Sequence, residues 1–376
     1  MIIDKPLEED LELLQQQNGS TCISIIVPVH RLSPERRTDR LEVKRTFEKA
    51  RLQIAHKFTP EEAAPFLNTL DELYNGIDFN HNPEGLGFYV SGNTQLVVPF
   101  PFPVQEKVIV GDNFLLRDLI YKHCYAQPYY VLFVTEKINR LFEGKWERLT
   151  ELKDDHFPME YIDEYAYSSP ERSSSYAGHA HVKMFERDKS DMQKIRITAF
   201  FRKMDKILNK YITNDTPLIL VGVDSKLTLF YDVSRHTKNI IAKIGGNHNY
   251  DNPKQLSLLA WDTMKIHFEN EAEFALKEFE DKIGKQRGVS GIEHVWTATQ
   301  EGRGLKLLVE KDFSVPAYVA ADKTHLYLNA PRMPHKGIPD AVDEIIQAVL
   351  EKKGSVYFFD NGGLDNYRHI ALITRY

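Results

Sequence analysis

Short apolar runs rich in β-branched residues alternate with long helical patterns along this chain, and this alternation limits the folds that it can adopt. Runs typical of buried strands lie at residues 21–29, 129–135, 218–223, 305–309, 355–359 and 370–374. Helical patterns lie at 34–56, 60–75, 253–285 and 339–352. Thr59 and Glu62 have the spacing of a capping box at the start of the second pattern. The order of these segments predicts an α/β protein.

The chain, at 376 residues, is longer than a typical single domain of roughly 100–150 residues. Changes of pattern divide it into predicted domains at 1–126, 127–252 and 253–376. Each segment contains strands and helices, so we predict three small α/β domains in tandem. In the last domain, the helix at 339–352 should bury four apolar side chains against a sheet that includes residues 370–374: Val342, Ile345, Ile346 and Val349.

The charge balance restricts the classes of partner. The chain carries 48 Lys and Arg against 54 Asp and Glu, a formal net charge of −6. This net charge excludes a globally basic protein that binds nucleic acid through its overall charge. Local basic patches remain compatible with it.

Cysteine usage and the first residues predict a cytoplasmic protein. Cys22 and Cys124 are too few for a disulfide framework, and the first ten residues lack the pattern of a signal peptide. The charge-free stretch at 85–105 contains several prolines, so we expect no membrane helix there.

The first helical pattern has a basic edge beside its buried stripe. The apolar stripe consists of Val43, Phe47, Ala50 and Ile54. At 100° per residue, four cations fall within a sector of about 60° beside it. Together with Arg36, the predicted RNA contacts on this helix are Arg37, Arg40, Lys44 and Arg51. The alternative is a solvated face on which these cations pair with acids along the helix: Glu35, Asp39, Glu42 and Glu48.

A second candidate site lies in the middle of the chain. Residues 168–181 are rich in Ser, Gly and Tyr and have no periodicity, which predicts a long loop. The predicted functional residues of this loop are Ser175, Tyr176, Gly178, His179 and His181. A basic run follows, in which the predicted RNA contacts are Lys183, Arg187, Lys189, Lys194 and Arg196. The alternative is a surface loop without function.

The second half of this basic run has helical periodicity. Its apolar set consists of Ile195, Ala199, Met204 and Leu208. We therefore expect the chain to enter a helix within the basic run and to leave it near residue 210.

Known catalytic motifs give little reason to expect an enzyme. The sequence has no GxxxxGK[ST], no GxGxxG after a strand, no HExxH, no CxxC and no GxSxG. His179 and His181 have no identifiable third ligand, so we predict no metal site. We also predict no cofactor and no catalytic residue. A two-metal nuclease would need carboxylates on core strands. Only Asp224, directly after the run at 218–223, comes close, and a turn role fits it better.

Three segments carry a family resemblance. They are RRTDRL at 36–41, WTATQEGRGLKLLV at 296–309 and IALITRY at 370–376. In this order, they resemble the RVNRL stretch, the segment with GAVE before an apolar strand, and the AxLRY strand of the archaeo-eukaryotic peptide-release-factor and pelota family. The resemblance is to the bacterial branch of that family, which includes the Balon-like ribosome-binding factors.

This resemblance implies both a fold and partners. The fold would be an N-terminal release-factor-like domain, a ribonuclease-H-like middle domain and a C-terminal α/β sandwich of the ribosomal kink-turn-binding type. The implied partners are the ribosome, through rRNA in the A-site region, and a tRNA-delivering GTPase, rather than a membrane or DNA.

Two departures from the family pattern argue against peptide release. The positions that match the codon-reading NIKS motif are Ser33-Pro34-Glu35-Arg36, so Glu35 replaces the lysine. The positions that match the GGQ loop are residues 173–181, which contain Gly178 but no glutamine. Neither stop-codon reading nor peptidyl-tRNA hydrolysis is therefore expected.

The sequence thus predicts a non-catalytic factor that binds the ribosome or a tRNA site, in stalling, rescue or dormancy. Two alternatives stay open. One is an RNA-processing or hydrolytic enzyme that acts through the central loop, and the other is a protein-interaction module that has left the ribosome. Steep salt dependence would separate RNA binding from protein binding, and bound metal would indicate the enzyme.

Overall fold

The computed structural model describes residues 7–15, 21–31, 36–79, 83–162, 176–213, 215–246 and 253–376. The chain divides into two units. Unit 1 combines Met1–Tyr125 with Phe268–Tyr376, and unit 2 is Ala126–His267. None of the helices within the described ranges has the length and apolar character that a membrane crossing requires.

The first part of unit 1 is a four-stranded sheet covered by helices. Its elements are α1 (Leu7–Gln15), β1 (Cys22–Pro28), α2 (Arg36–Lys57), α3 (Pro60–Asn75), β2 (Gly85–Val90), β3 (Gln95–Phe100), β4 (Lys107–Gly111) and α4 (Arg117–Cys124). The strand order is β3-β2-β1-β4, with β1 antiparallel to β2 and β4. The predicted stripe of α2 is buried against this sheet, and the capping box of Thr59 and Glu62 starts α3 as predicted.

Unit 2 is built on a mixed sheet. Its elements are β5 (Tyr129–Val134), β6 (Ile138–Lys145), β7 (Arg148–Glu151), β8 (Met159–Glu160), α5 (Tyr176–Leu208), β9 (Leu218–Gly222), α6 (Asp224–Val233) and β10 (Ile240–Gly245). The order is β10-β9-β5-β6-β7, and β8 pairs with β6. β5, β9 and β10 are parallel, which is consistent with the helices that connect them.

The second part of unit 1 follows a long helix, α7 (Pro253–Ile283), that begins in unit 2. The remaining elements are β11 (Gly288–Ser290), α8 (Ile292–Gln300), β12 (Gly304–Glu310), β13 (Ala317–Ala320), β14 (Leu326–Tyr327), β15 (His335–Ile338), α9 (Ala341–Glu351), β16 (Ser355–Phe359) and β17 (Ile370–Thr374). The sheet orders are β11-β17-β12-β16 and β14-β13-β15. All four apolar residues predicted for α9 are buried, and so is every residue of β17.

The structure confirms the α/β class and corrects one local prediction. The chain is helical from Tyr176 onward, so residues 176–181 are not the loop that the sequence predicts. Alanines, methionine and long charged side chains dominate this stretch, and their helix propensity outweighs the single Gly178. The strand β10, which begins at Ile240, is an element that the sequence analysis did not identify. The predicted domain boundaries near residues 126 and 252 remain predictions.

A buried ionic cluster joins α4 to α9 inside unit 1. Arg117 and Asp340 are almost fully buried, and Arg117 Nη2 donates to Asp340 Oδ2 at 2.5 Å. Asp340 Oδ1 also accepts from the amide of Val342 at the start of α9. Asp343 Oδ1 accepts from the amides of Leu116 and Arg117, at 3.0 and 2.6 Å, at the start of α4. Each carboxylate therefore caps one helix, as the positive end of a helix dipole favours.

We expect Asp343 to make stability depend on pH. Burial, together with the neighbouring Asp340 carboxylate, raises the pKa of Asp343 from 3.8 to about 7, although Arg117 and Gln347 act in the opposite direction. Between these values the folded protein keeps a proton that the unfolded chain releases, so the free energy of unfolding falls as pH rises from about 4 to about 7. In Asp343→Asn this contribution is absent, and the slope should be shallower by up to about 1.4 kcal/mol per pH unit.

Urea denaturation of both proteins at a series of pH values measures these slopes. The control is Asp322→Asn, because hydrogen bonds from His325 and Thr324 lower the pKa of that exposed carboxyl to about 2, outside this window. Parallel curves for the wild type and Asp343→Asn would contradict the assignment.

Candidate nucleic-acid interface

A buried carboxylate fixes the start of α2 to the end of β1. Asp39 lies in the first turn of α2 and is fully buried. Its Oδ2 accepts from the His30 amide at 2.7 Å, and its Oδ1 lies 2.7 Å from His30 Nδ1. Asp39 is therefore not the solvated partner for surface cations that the alternative interpretation of α2 required. It holds the first turn of the helix, on which the predicted RNA contacts begin.

The exposed cations of α2 include Arg37, Arg40, Lys44 and Arg45. Within the part of α2 and its surroundings that the structure describes, none of the four forms an ion pair. The first three were predicted from the helical sector, whereas Arg45 was missed because it lies outside that sector. The side chain of Arg36 lies outside the described residues.

The other cations of α2 are engaged within the protein. Lys49 pairs with Glu106 at 2.8 Å, and Lys57 Nζ donates to the Val110 carbonyl. Arg51 donates a hydrogen bond to Asp71 of α3, and this bond raises the pKa of the guanidinium despite its partial burial. Arg51 thus joins α2 to α3, and we withdraw it from the predicted RNA contacts. Its partner lies on the next helix, where the spacing of residues along α2 could not indicate it.

The central candidate residues lie on or beside α5. Ser175 lies outside the described residues. The backbone of α5 includes Tyr176, Gly178, His179, His181, Lys183, Arg187 and Lys189, whose side chains also lie outside the description. Lys194 is exposed, and Arg196 is half-buried. The helical backbone contradicts the predicted loop at four of the predicted functional residues: Tyr176, Gly178, His179 and His181.

The second half of α5 carries exposed cations that the sequence analysis did not select. They are Arg202, Lys203 and Lys206, and no ion pair involves them among the residues that the structure describes. The opposite face is buried through Ile197, Phe201, Met204 and Leu208. The predicted apolar set was partly wrong, because Ile195 is 63% exposed and Ala199 is also exposed. The helical spacing of these four buried residues would have predicted, from the sequence alone, that Arg202, Lys203 and Lys206 share the opposite face.

The polar clusters of unit 2 have structural roles. Buried Asp205 accepts from the Ser234 hydroxyl at 2.6 Å and lies 2.8 Å from His236 Nδ1. It also accepts from the Arg235 amide, so this carboxylate holds the chain that leaves α6. Core strands β5 and β9 contain no carboxylate, and Asp224 begins α6. This arrangement does not supply the paired carboxylates that a two-metal nuclease needs.

Comparison with known protein families gives a match in the middle of the chain. The model of bacterial archaeo-eukaryotic release factor family 3 matches residues 128–303. None of the curated proteins matches the chain.

Several solved structures show low similarity. Saccharomyces cerevisiae Dom34, described as a translation termination-like factor that interacts with Hbs1, has 13% identity and a TM-score of 0.40, with 78% of this chain and 75% of Dom34 covered. Ribosome-bound archaeal Pelota, in a model with ABCE1, has 10% identity and a TM-score of 0.39, with 100% and 95% covered. The archaeal termination factor aRF1 has 12% identity and a TM-score of 0.25, with 98% and 97% covered.

The family match does not depend on these structures and confirms the resemblance seen in the sequence. Over residues 128–303, slightly less than half of the chain, the sequence is similar to bacterial archaeo-eukaryotic release factor family 3.

Proposed function

We propose that this protein is a non-catalytic ribosome-binding factor that contacts RNA phosphates through the exposed cations of α2 and acts in translational rescue, stalling or dormancy. The observation that carries the proposal is that some cations of α2 have carboxylate partners and others do not. Lys49 and Arg51 have carboxylate partners, whereas Arg37, Arg40 and Lys44 are exposed without one among the described residues. The match of residues 128–303 to a release-factor family supports the ribosome as the partner.

The chemistry of these side chains suits phosphate. A guanidinium presents a fork of N–H donors that matches two phosphate oxygens, and an ammonium adds a point charge. Contacts of this kind position a protein on RNA without reading its sequence. Since the whole chain carries a net charge of −6, attraction to RNA must come from such a local surface.

The second half of α5 is the other surface that suits RNA. Arg202, Lys203 and Lys206 are exposed on the helix face opposite the core of unit 2. The proposal includes this face as a second, separate phosphate contact. It also keeps the A-site region of the ribosome and a tRNA-delivering GTPase as expected partners, as the family resemblance implies.

The proposal is non-catalytic for two reasons. The matching segment has no GGQ, and its backbone from Tyr176 onward is helical rather than a loop. The buried Asp205 and His236 of unit 2 are engaged with each other and with neighbouring groups, so neither is available as an open acid or base.

The triple variant Arg37→Glu, Arg40→Glu, Lys44→Glu should fold normally and lose co-sedimentation with ribosomes. Exposed charges away from special features alter stability by only about 0.5 kcal/mol each. The control reverses three other charges, Lys277→Glu, Lys285→Glu and Lys352→Glu, which are exposed outside α2. Because both variants change the net charge equally, only the loss of local contacts distinguishes them. A folded α2 variant that co-sediments like the control would remove this surface from the proposal.

A second variant, Arg202→Glu, Lys203→Glu, Lys206→Glu, tests the basic face of α5. We expect weaker ribosome binding and an unchanged melting temperature, because these side chains lie opposite the buried residues of the helix. Binding as tight as that of the wild type would restrict the RNA contact to α2.

Salt dependence separates RNA binding from binding to a protein partner. The logarithm of the binding constant should fall linearly with the logarithm of salt concentration, with a slope of about 0.7 to 0.9 per phosphate contact. The α2 triple variant should therefore have a slope shallower by about 2 to 3. Binding to ribosomes that is insensitive to salt would favour the protein-interaction alternative.

A further inference from the structure

A mixed imidazole and carboxylate cluster lies in unit 1, far along the chain from α2. Glu310 is the last residue of β12, and His369 directly precedes β17, the antiparallel neighbour of that strand. Asp365 lies four residues earlier, at the start of a short 3-10 helix (Asp365–Tyr367). We propose that Glu310, Asp365 and His369 form a binding site for one divalent transition-metal ion.

The ligand atoms have the spacing of a coordination shell. His369 Nδ1 lies 2.9 Å from Glu310 Oε2 and 3.5 Å from Asp365 Oδ1. One ligand atom from each residue lies within 4.8 Å of the others. Around a tetrahedral ion with ligand distances of about 2.0 Å, neighbouring ligand atoms are separated by about 3.3 Å. One imidazole nitrogen thus stands at this separation from two carboxylates at once.

The charge of the cluster lacks a Lys or Arg counterpart. The Glu310 side chain is only 5% exposed, and its oxygens accept from the Leu364 amide and lie against the imidazole of His369. Among the residues that the structure describes, no Lys or Arg pairs with Glu310 or Asp365. A carboxylate this buried is costly unless a cation compensates it, and a bound metal ion would do so.

The site is held by regular structure on one side and open on the other. The Glu310 amide donates to the His369 carbonyl at 3.1 Å, so the two ligands are fixed by strand pairing. The side chains of Asp365 and His369 are 69% and 44% exposed, which gives an ion and a water ligand access. One nitrogen and two carboxylate ligands suit Zn²⁺ or Mn²⁺, whereas Mg²⁺ and Ca²⁺ prefer oxygen ligands alone.

A second group, His30, Asp39 and Glu42, also has metal-ligand spacing. It carries no proposal, because the Asp39 carboxylate already accepts from the His30 amide and both residues have further interactions.

Metal titration of the full chain tests the site. After treatment with a chelator and dialysis, ZnCl₂ is titrated by calorimetry, and CoCl₂ is followed by visible absorption, which reports the coordination of the ion. We expect one equivalent of Zn²⁺ to bind the wild type, and this binding to be lost in His369→Ala and in Asp365→Asn. His325→Ala is the matched control, because His325 Nδ1 also lies 2.8 Å from a carboxylate but has no second one beside it among the described residues.

The result decides between metal binding and a contact among the three side chains alone. Wild-type protein that binds no Zn²⁺, or variants that bind it as the wild type does, would overturn the proposal and leave His369 as a partner for the two acids. If His369→Ala does not melt cooperatively, Asp365→Asn decides alone, because that exposed side chain contributes little to packing.

Discussion

The contact between Arg117 and the two carboxylates Asp340 and Asp343 is the interaction on which the architecture of unit 1 depends. It joins α4 to α9, which are separated by more than half of the chain, and it satisfies the amino ends of both helices. Aromatic pairs add further contacts within unit 1, with ring centroids 5.1 Å apart for Tyr121 and Phe358 and 4.8 Å apart for Tyr125 and Phe268. Removing one partner of such a buried pair typically costs roughly 3–5 kcal/mol, because the other charge is left uncompensated.

The ion pairs of α2 can be understood in the same way, by asking which charges have an opposite charge nearby. Where a carboxylate of a neighbouring element lies within reach, as Asp71 does for Arg51 and Glu106 for Lys49, the cation is engaged by the fold. Where none does, the cation stays in solvent and is available to a ligand. The surface that we propose for RNA is thus the part of the helix that the protein itself does not neutralise.

Local periodicity was enough to predict some elements. The buried stripe of α2, the capping box of α3 and the apolar face of α9 all depend on residues within a few turns of one another. Contacts between distant residues were not predictable in this way. The ion pair of Arg51 with Asp71, the strand that begins at Ile240 and the cluster around Arg117 all depend on partners that sequence spacing does not indicate. For the first turns of α5, the content of Ser, Gly and Tyr just before the helix favoured a loop, but helix propensity decided the conformation of the backbone.

The central claim is that the exposed cations of α2 contact RNA, and a cryo-EM structure of the chain bound to the ribosome tests it most directly. The account predicts that Arg37, Arg40 and Lys44 lie against rRNA phosphates, with nitrogen–oxygen distances of about 2.7–2.9 Å for the charged hydrogen bonds. A complex in which this face of α2 is directed to solvent, or contacts only ribosomal proteins, would contradict it.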